Sequence, residues 1–245
     1  MSLISFKTAF STMLGSMEKL SSGLRINRAS DDPAGLVISE KLRSQIGSLN
    51  QEIENLSASI NRYETASSTV SSLRSYLTEI REHAVAASND GYLSDEARDA
   101  LAVAAESLVE TYNDTVANAE YNGSPMFDGS ERALAEVAAI ALEKVDFSSP
   151  EAAAETISTI DQAIRDIDSV QIELATTQKN DLKSRLSSLE VTRENLNAAE
   201  SQIRDTDYAL EVSNFIGSMI RTQASLAMLT YSAISGASVL KLFKI

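Results

Sequence analysis

The two ends of this 245-residue chain constrain it most. Residues 1–24 place Leu3, Phe6, Phe10, Met13, Met17, Leu20 and Leu24 at an unbroken 3-4-3-4-3-4 spacing, the seam of a coiled coil. Residues 213–240 carry one charge, Arg221, among Ser, Ala, Thr, Leu, Ile and Met. Chain ends are ordinarily polar and frayed. A chain with a formal net charge of −14 and two nearly uncharged helical ends needs something to bury those ends. The spacing points to burial against each other and against further copies, as in the subunit of a polymer.

The interior repeats the pattern. Ser30 or Asp31 is suited to cap a helix, with Pro33 in its first turn. Leu42, Ile46, Leu49, Ile53, Leu56, Ile60 and Tyr63 then follow a 4-3 spacing. It resumes at Ala66, Val70, Leu73, Leu77, Ile80, Ala84 and Ala87 after a stammer at Ile60, Tyr63 and Ala66. A helix over 42–88 would be about 70 Å long at ~1.5 Å per residue, which suits a rod. A shorter helix is expected from Ser94 to Ala117. Asn122-Gly123, Pro125 and Asp128-Gly129 mark 121–130 as turns. Residues 131–146 have helix propensity. Pro150 opens a return helix to about 204, with Ile157, Ile160, Ile164 and Ile167, then Leu182, Leu189, Leu196 and Ile203 spaced by seven. The last helix covers 206–245.

Composition narrows the function. Nine Gly and three Pro favour long uninterrupted elements, and the absence of Trp leaves burial to aliphatic seams. The acidic balance argues against a nucleic-acid partner. With no Cys, disulfides and thiolate metal sites are excluded. The N-terminus lacks the pattern of a cleaved signal peptide. Thr222, Gln223, Ser225, Thr230, Ser232, Ser235, Gly236 and Ser238 dilute the low-charge tail too far for a membrane span. No HExxH, GxSxG or phosphate-binding glycine loop occurs. Asp31, Asp32, Asp205 and Asp207 read as caps and turns rather than a cation site. His83, the single histidine, reads as a surface helix residue, and the Asn55-Leu56-Ser57 glycosylation pattern is discounted because it lies within a helix seam. No enzyme activity and no cofactor or metal are expected.

Ser21-Ser22-Gly23-Leu24-Arg25-Ile26-Asn27 and Asp31-Asp32-Pro33-Ala34-Gly35-Leu36 resemble the N-terminal signature of bacterial flagellin. Ile80-Arg81-Glu82 and Tyr121-Asn122-Gly123 extend the likeness. Residues 195–209, Gln223-Ala224-Ser225 and Val239-Leu240 are similar to its C-terminal signature. The resemblance covers about 1–128 and 150–245. It implies a mainly α protein: a long antiparallel helical rod with a small β-hairpin at about 121–147, the termini pairing as a coiled coil. The implied divisions are an inner-tube helix 1–28, rod helices 29–120, a hairpin region 121–149 replacing the family's variable outer domain, a rod helix 150–204 and an inner-tube helix 205–245.

The implied function is a self-assembling, secreted subunit of the extracellular flagellar filament. A hook–filament junction protein, or a secreted adhesin or receptor ligand built on the same rod, is the alternative. Phe215, Ile216, Met219, Ile220, Leu226, Leu229, Ile234 and Leu240 would join the N-terminal seam in the tube. Arg25, Arg28, Asp31 and Asp32 would meet Arg204, Asp205 and Asp207 where tube joins rod. The implied partners are other copies, an export chaperone at the C-terminal helix, and filament cap and junction proteins. Glu79, His83 and Ala104 stand where the family's Toll-like receptor patch usually has Arg, Leu and Glu, implying weak or no recognition there. Members usually carry about a dozen more residues before the Ser-Ser-Gly-Leu-Arg motif. The chain also departs from the family at Ser235-Gly236, where a Pro is common, and at its Lys241–Ile245 end.

Overall fold

A computed structural model describes residues 2–89, 93–130, 133–137 and 145–242, with the side chains of 2, 233 and 235–242 left undescribed. The order of elements is α1 (Ser2–Ser22), α2 (Pro33–Ala87), α3 (Asp95–Ala117), β1 (Glu120–Tyr121), β2 (Ser124–Pro125), α4 (Pro150–Thr176), a π-helical segment (Thr177–Leu182), α5 (Lys183–Arg204) and α6 (Tyr208–Leu242). The fold is mainly α, with one small hairpin among the described residues.

Local chemistry sets the boundaries. α2 has 55 residues, about 80 Å of helix at ~1.5 Å per residue. Its cap is Asp32 rather than Ser30 or Asp31: Asp32 Oδ1 accepts from the Gly35 N–H at 2.9 Å. Asp31 instead accepts from the N–H groups of Asn27 and Arg28, at 3.1 and 2.9 Å, and ties the preceding turn. Ser94 caps α3 through the Ala97 N–H, and Ser149 caps α4 with Pro150 in its first turn. β1 and β2 pair antiparallel, with Glu120 opposite Pro125 and Tyr121 opposite Ser124. Their two-residue connection, Asn122 at φ 51° and Gly123 at φ 71°, has the left-handed backbone that a tight hairpin requires.

The helix favoured by propensity at 131–146 is absent from the described part of that stretch: residues 133–137 are extended or bent, and Glu136 bridges to Asp128. Residues 131–132 and 138–144 of that stretch lie outside the described residues. The expected single return helix over 151–204 is interrupted by the π-helical segment.

The chain forms two compact units, residues 52–190 and residues 1–51 with 191–245. The first holds the core. Ala66, Val70, Leu73, Leu77, Ile80, Ala84 and Ala87 of α2 are fully buried against Ala105, Val109 and Tyr112 of α3 and Ala153, Ile160, Ile167 and Leu174 of α4. Met126, Phe127, Val137, Val145 and Phe147 complete that core from the connecting segment. Burial lifts the Tyr112 hydroxyl to about 12, with Asp166 adding to the effect. Arg74 pairs with Asp168 at 2.7 Å and Arg81 with Asp161 at 2.6 Å. Both pairs repeat every seven residues on α2 and α4, so they hold the antiparallel register.

Candidate assembly surface

The second unit buries little. Among the described residues its buried positions are Ala9, Ser16, Ile26, Gly35, Ser39 and Ser218, none larger than isoleucine. α1 packs along α6 in that unit. The covered stripe of α1 runs Phe6, Ala9, Met13, Ser16 and Leu20, and that of α6 runs Glu211, Phe215, Ser218, Thr222, Ser225 and Leu229. Both stripes follow the 3-4 spacing of paired helices. Small and polar residues dominate them, so the two helices approach closely and much of their apolar surface remains outside the contact.

That surface is large. Leu3, Ile4, Phe10, Leu14 and Met17 on α1 are exposed, Ile4 to 72%. On α6, Leu210, Val212, Ile216, Ile220, Leu226, Met228, Tyr231 and Ile234 are exposed, Tyr231 to 73%. Monomeric soluble proteins rarely keep a continuous apolar face of this kind. Phe10 stacks on half-buried Phe6 with ring centroids 5.9 Å apart. The isolated charge, Arg221, donates Nε to its own helix at the Gly217 carbonyl, 3.1 Å away.

The residues expected to form one seam are thus divided. Phe6, Met13, Leu20 and Leu24 are half-buried, as are Phe215, Met219 and Leu229. Leu3, Phe10, Met17, Ile216, Ile220, Leu226 and Ile234 are exposed. The Leu240 side chain lies outside the described residues. Ile4, Leu14, Leu210, Val212, Met228 and Tyr231 belong to the exposed surface and were not anticipated. They lie off the heptad stripe; for Met228 and Tyr231 the signal was the near absence of charge across 213–240, and the other four had none.

The connection between helices is a backbone clasp. Leu24 and Asp205 form an antiparallel bridge, in which the Arg25 N–H donates to the Arg204 carbonyl at 2.6 Å and the Thr206 N–H to the Gly23 carbonyl at 2.9 Å. Gly23 holds φ 75°, and a Cβ there would lie 3.0 Å from the Tyr208 hydroxyl. Arg25 Nη2 donates to the Gln202 and Ile203 carbonyls at 3.3 and 2.5 Å, closing the end of α5 with a cation where the helix dipole is negative.

The junction charges pair differently from the expected acid–base set. Arg204 Nη1 meets Glu40 at 2.5 Å, and Arg28 meets Glu18 at 3.0 Å. Asp205 accepts from Ser201, and Asp207 caps α6 through the Leu210 N–H at 3.1 Å. Helix caps and turns take up the short Asp side chains, which leaves the longer Glu18 and Glu40 to reach the arginines. The Arg28 and Asn27 N–H groups hold the Asp31 carboxyl below its usual range. The Arg204 guanidinium does the same for Glu40.

Glu79 is exposed on α2, while His83 on α2 and Ala104 on α3 are half-buried. Among the described residues no group of three His, Asp or Glu is placed to hold a metal ion. No helix there is long and apolar enough to cross a membrane.

The clasp, the paired ends and the uncovered apolar face coincide with known sequence regions. Residues 5–132 match the bacterial flagellin N-terminal helical region, and residues 157–243 match the C-terminal helical region. The chain belongs to the bacterial flagellin family. It is 34% identical to the flagellar filament 31.3 kDa core protein of Treponema maltophilum, over 93% of this chain and 91% of that protein. It is 35% identical to a flagellin of Halalkalibacterium halodurans over 93% of this chain and 90% of that one, and 31% identical to Bacillus subtilis flagellin over 93% and 91%. The flagellin family is structural rather than enzymatic, and this chain is a structural subunit of the flagellar filament. No variable outer domain separates its two helical regions.

Proposed function

We propose that the chain polymerises through the outward faces of α1 and α6, with residues 1–28 and 205–245 forming the filament's inner tube. Residues 29–120 and 150–204 then form the surrounding layer, with 121–149 as its hairpin region. The exposed row Leu3, Ile4, Phe10, Leu14 and Met17 carries this reading, because a folded subunit leaves it uncovered and a neighbour can cover it. Each buried Leu, Ile, Phe or Met side chain stabilises by about 1.5–3 kcal/mol. Assembly is therefore favourable where several neighbours share the face. Mixing growing seeds with purified subunit and measuring elongation tests it: charge placed on the outward row stops growth, whereas unchanged growth rejects the assignment.

The same face requires protection before assembly. Secretion to the growing tip, an export chaperone on α6, and cap and junction proteins at the filament ends fit this need. A chaperone that holds α6 should protect its amides from exchange in the complex. Protection confined to another helix rejects that role.

Recognition by the Toll-like flagellin receptor is weak or absent in this reading. Glu79 offers an exposed acid where the family's patch presents Arg, and a reversed charge in an interface costs several kcal/mol. His83 and Ala104 also depart from that patch. Potency of depolymerised subunit on reporter cells should fall at least a hundredfold against a strongly stimulating flagellin, and equal potency rejects the reading.

A further inference from the structure

The return helix contains one residue too many. Ala153, Ile160, Ile167 and Leu174 stand seven apart and are all buried. Leu182, Leu189, Leu196 and Ile203 also stand seven apart and are all half-buried. Leu182 stands eight positions beyond Leu174. Each α-helical residue turns the chain by about 100°, so one extra residue would swing the second stripe far from the line of the first. The π-helical segment Thr177–Leu182 occupies that interval. Its wide turn is explicit at Lys183, whose N–H donates to the Gln178 carbonyl five residues back. Single-turn π segments take in an added residue without breaking the helix, at a cost in helix geometry.

The segment is lightly held. None of its six residues is buried. Thr177, Asn180 and Asp181 are poor helix formers. Its tether is Glu64 of α2, which accepts from Gln178 Nε2 at 3.0 Å and pairs with Lys183 Nζ at 3.4 Å, one partner near each end of the wide turn. Glu64 sits between Tyr63 and Ala66, where the α2 stripe has its own irregular step. Both helices thus lose their regular phase at one level.

We propose that Thr177–Leu182 is a movable phase break, clipped by Glu64. Shifting the wide turn along the helix rotates the side chains beyond it and gives the subunit alternative shapes. Resting on the filament-subunit reading, the inference further assigns this segment control of the polymer's helical twist, since small changes in a repeated subunit accumulate along a helical assembly.

The test uses the full chain with Asn180 deleted, which brings Leu174 and Leu182 to seven-residue spacing, and a second variant, Glu64→Ala. In the monomer, amide exchange over 174–186 should slow at least tenfold on deletion and quicken in Glu64→Ala. A wild-type segment already as protected as Ile160–Ile167, or a deletion that lowers the melting temperature, overturns the movable break. In filaments imaged by electron cryomicroscopy across a pH and salt series, the wild-type twist should vary and the deletion variant should keep one twist. Equal variation in both, or a wild-type twist that never varies, overturns the control of twist. If no chain polymerises, the subunit reading fails while the exchange result still decides the phase break.

Discussion

Arg204 near the end of α5 and Glu40 on α2 are 164 residues apart in sequence and meet at 2.5 Å. The Arg204 side chain is 11% exposed and that of Glu40 54%. The arginine is therefore the buried member, and Glu40 is the charge that compensates it. Beside them, the clasp at residues 23–25 and 204–206 joins the end of α1 to the end of α5.

Glu40→Gln should lower the denaturation midpoint at pH 7, since it leaves the Arg204 guanidinium without its counter-charge. The difference should depend on pH. Arg204 depresses the Glu40 carboxyl below its ordinary 4.5, so the carboxylate's contribution is present above that value. It is lost as pH falls through the lower, folded-state value. Denaturation curves of both chains should separate at pH 7 and converge in acid. Parallel curves at every pH would remove the pair from the stability of the junction.

Gly35→Ala should weaken the start of α2. A Cβ there would meet the Asp32 carboxylate and come within 2.8 Å of Ile26 Cδ1, both held by the cap and the buried turn. Overpacking of this kind costs about 1–3 kcal/mol. Urea denaturation should show that loss, with faster amide exchange over residues 26–36. A change under about 0.5 kcal/mol would mean that the turn yields freely.

Leu14→Glu separates folding from assembly. Leu14 is exposed in the subunit, so monomer stability should stay within about 0.5 kcal/mol of the parent. In the polymer the lost burial is worth about 1.5–3 kcal/mol, and 1.4 kcal/mol is a factor of ten. The critical concentration for polymerisation should rise by about 10- to 100-fold. Sedimentation of polymer from monomer measures it, and an unchanged value would place Leu14 outside every subunit contact.

Ser16→Leu acts on the other side of the same helix. Ser16 is buried on the stripe of α1 covered by α6, so the added volume should push the pair apart at a cost of about 1–3 kcal/mol. Helical content by circular dichroism should be lost at a lower temperature than in the parent. A gain in stability would show that the stripe has room.

Much of this architecture was legible because heptad spacing survives folding wherever helices pair along their length. Val70, Leu73, Leu77, Ile80 and Ala84 were read as a seam and are fully buried. The spacing did not show which neighbour covers each stripe. Leu3, Phe10 and Met17 share a heptad pattern with Phe6 and Met13, yet they face away because Ala9 and Ser16 allow α6 to settle on the adjacent side. Caps were legible as a class, but the choice of Asp32 over Asp31 depends on the turn at Asn27 and Arg28. The Arg204–Glu40 pair had no local signal, since helix packing alone brings those side chains together. The return was read as one helix, and the π turn between Leu174 and Leu182 required the backbone.

Among the described side chains, residues 226–245 hold the exposed Leu226, Met228, Tyr231 and Ile234, and none of the buried core. A chain ending at Ser225 should keep the helical content and denaturation midpoint of residues 52–190. Negative-stain electron microscopy of both chains under polymerising conditions should show long tubes from the full chain and none from the shortened one. Long tubes from the shortened chain would contradict assembly through the terminal helices.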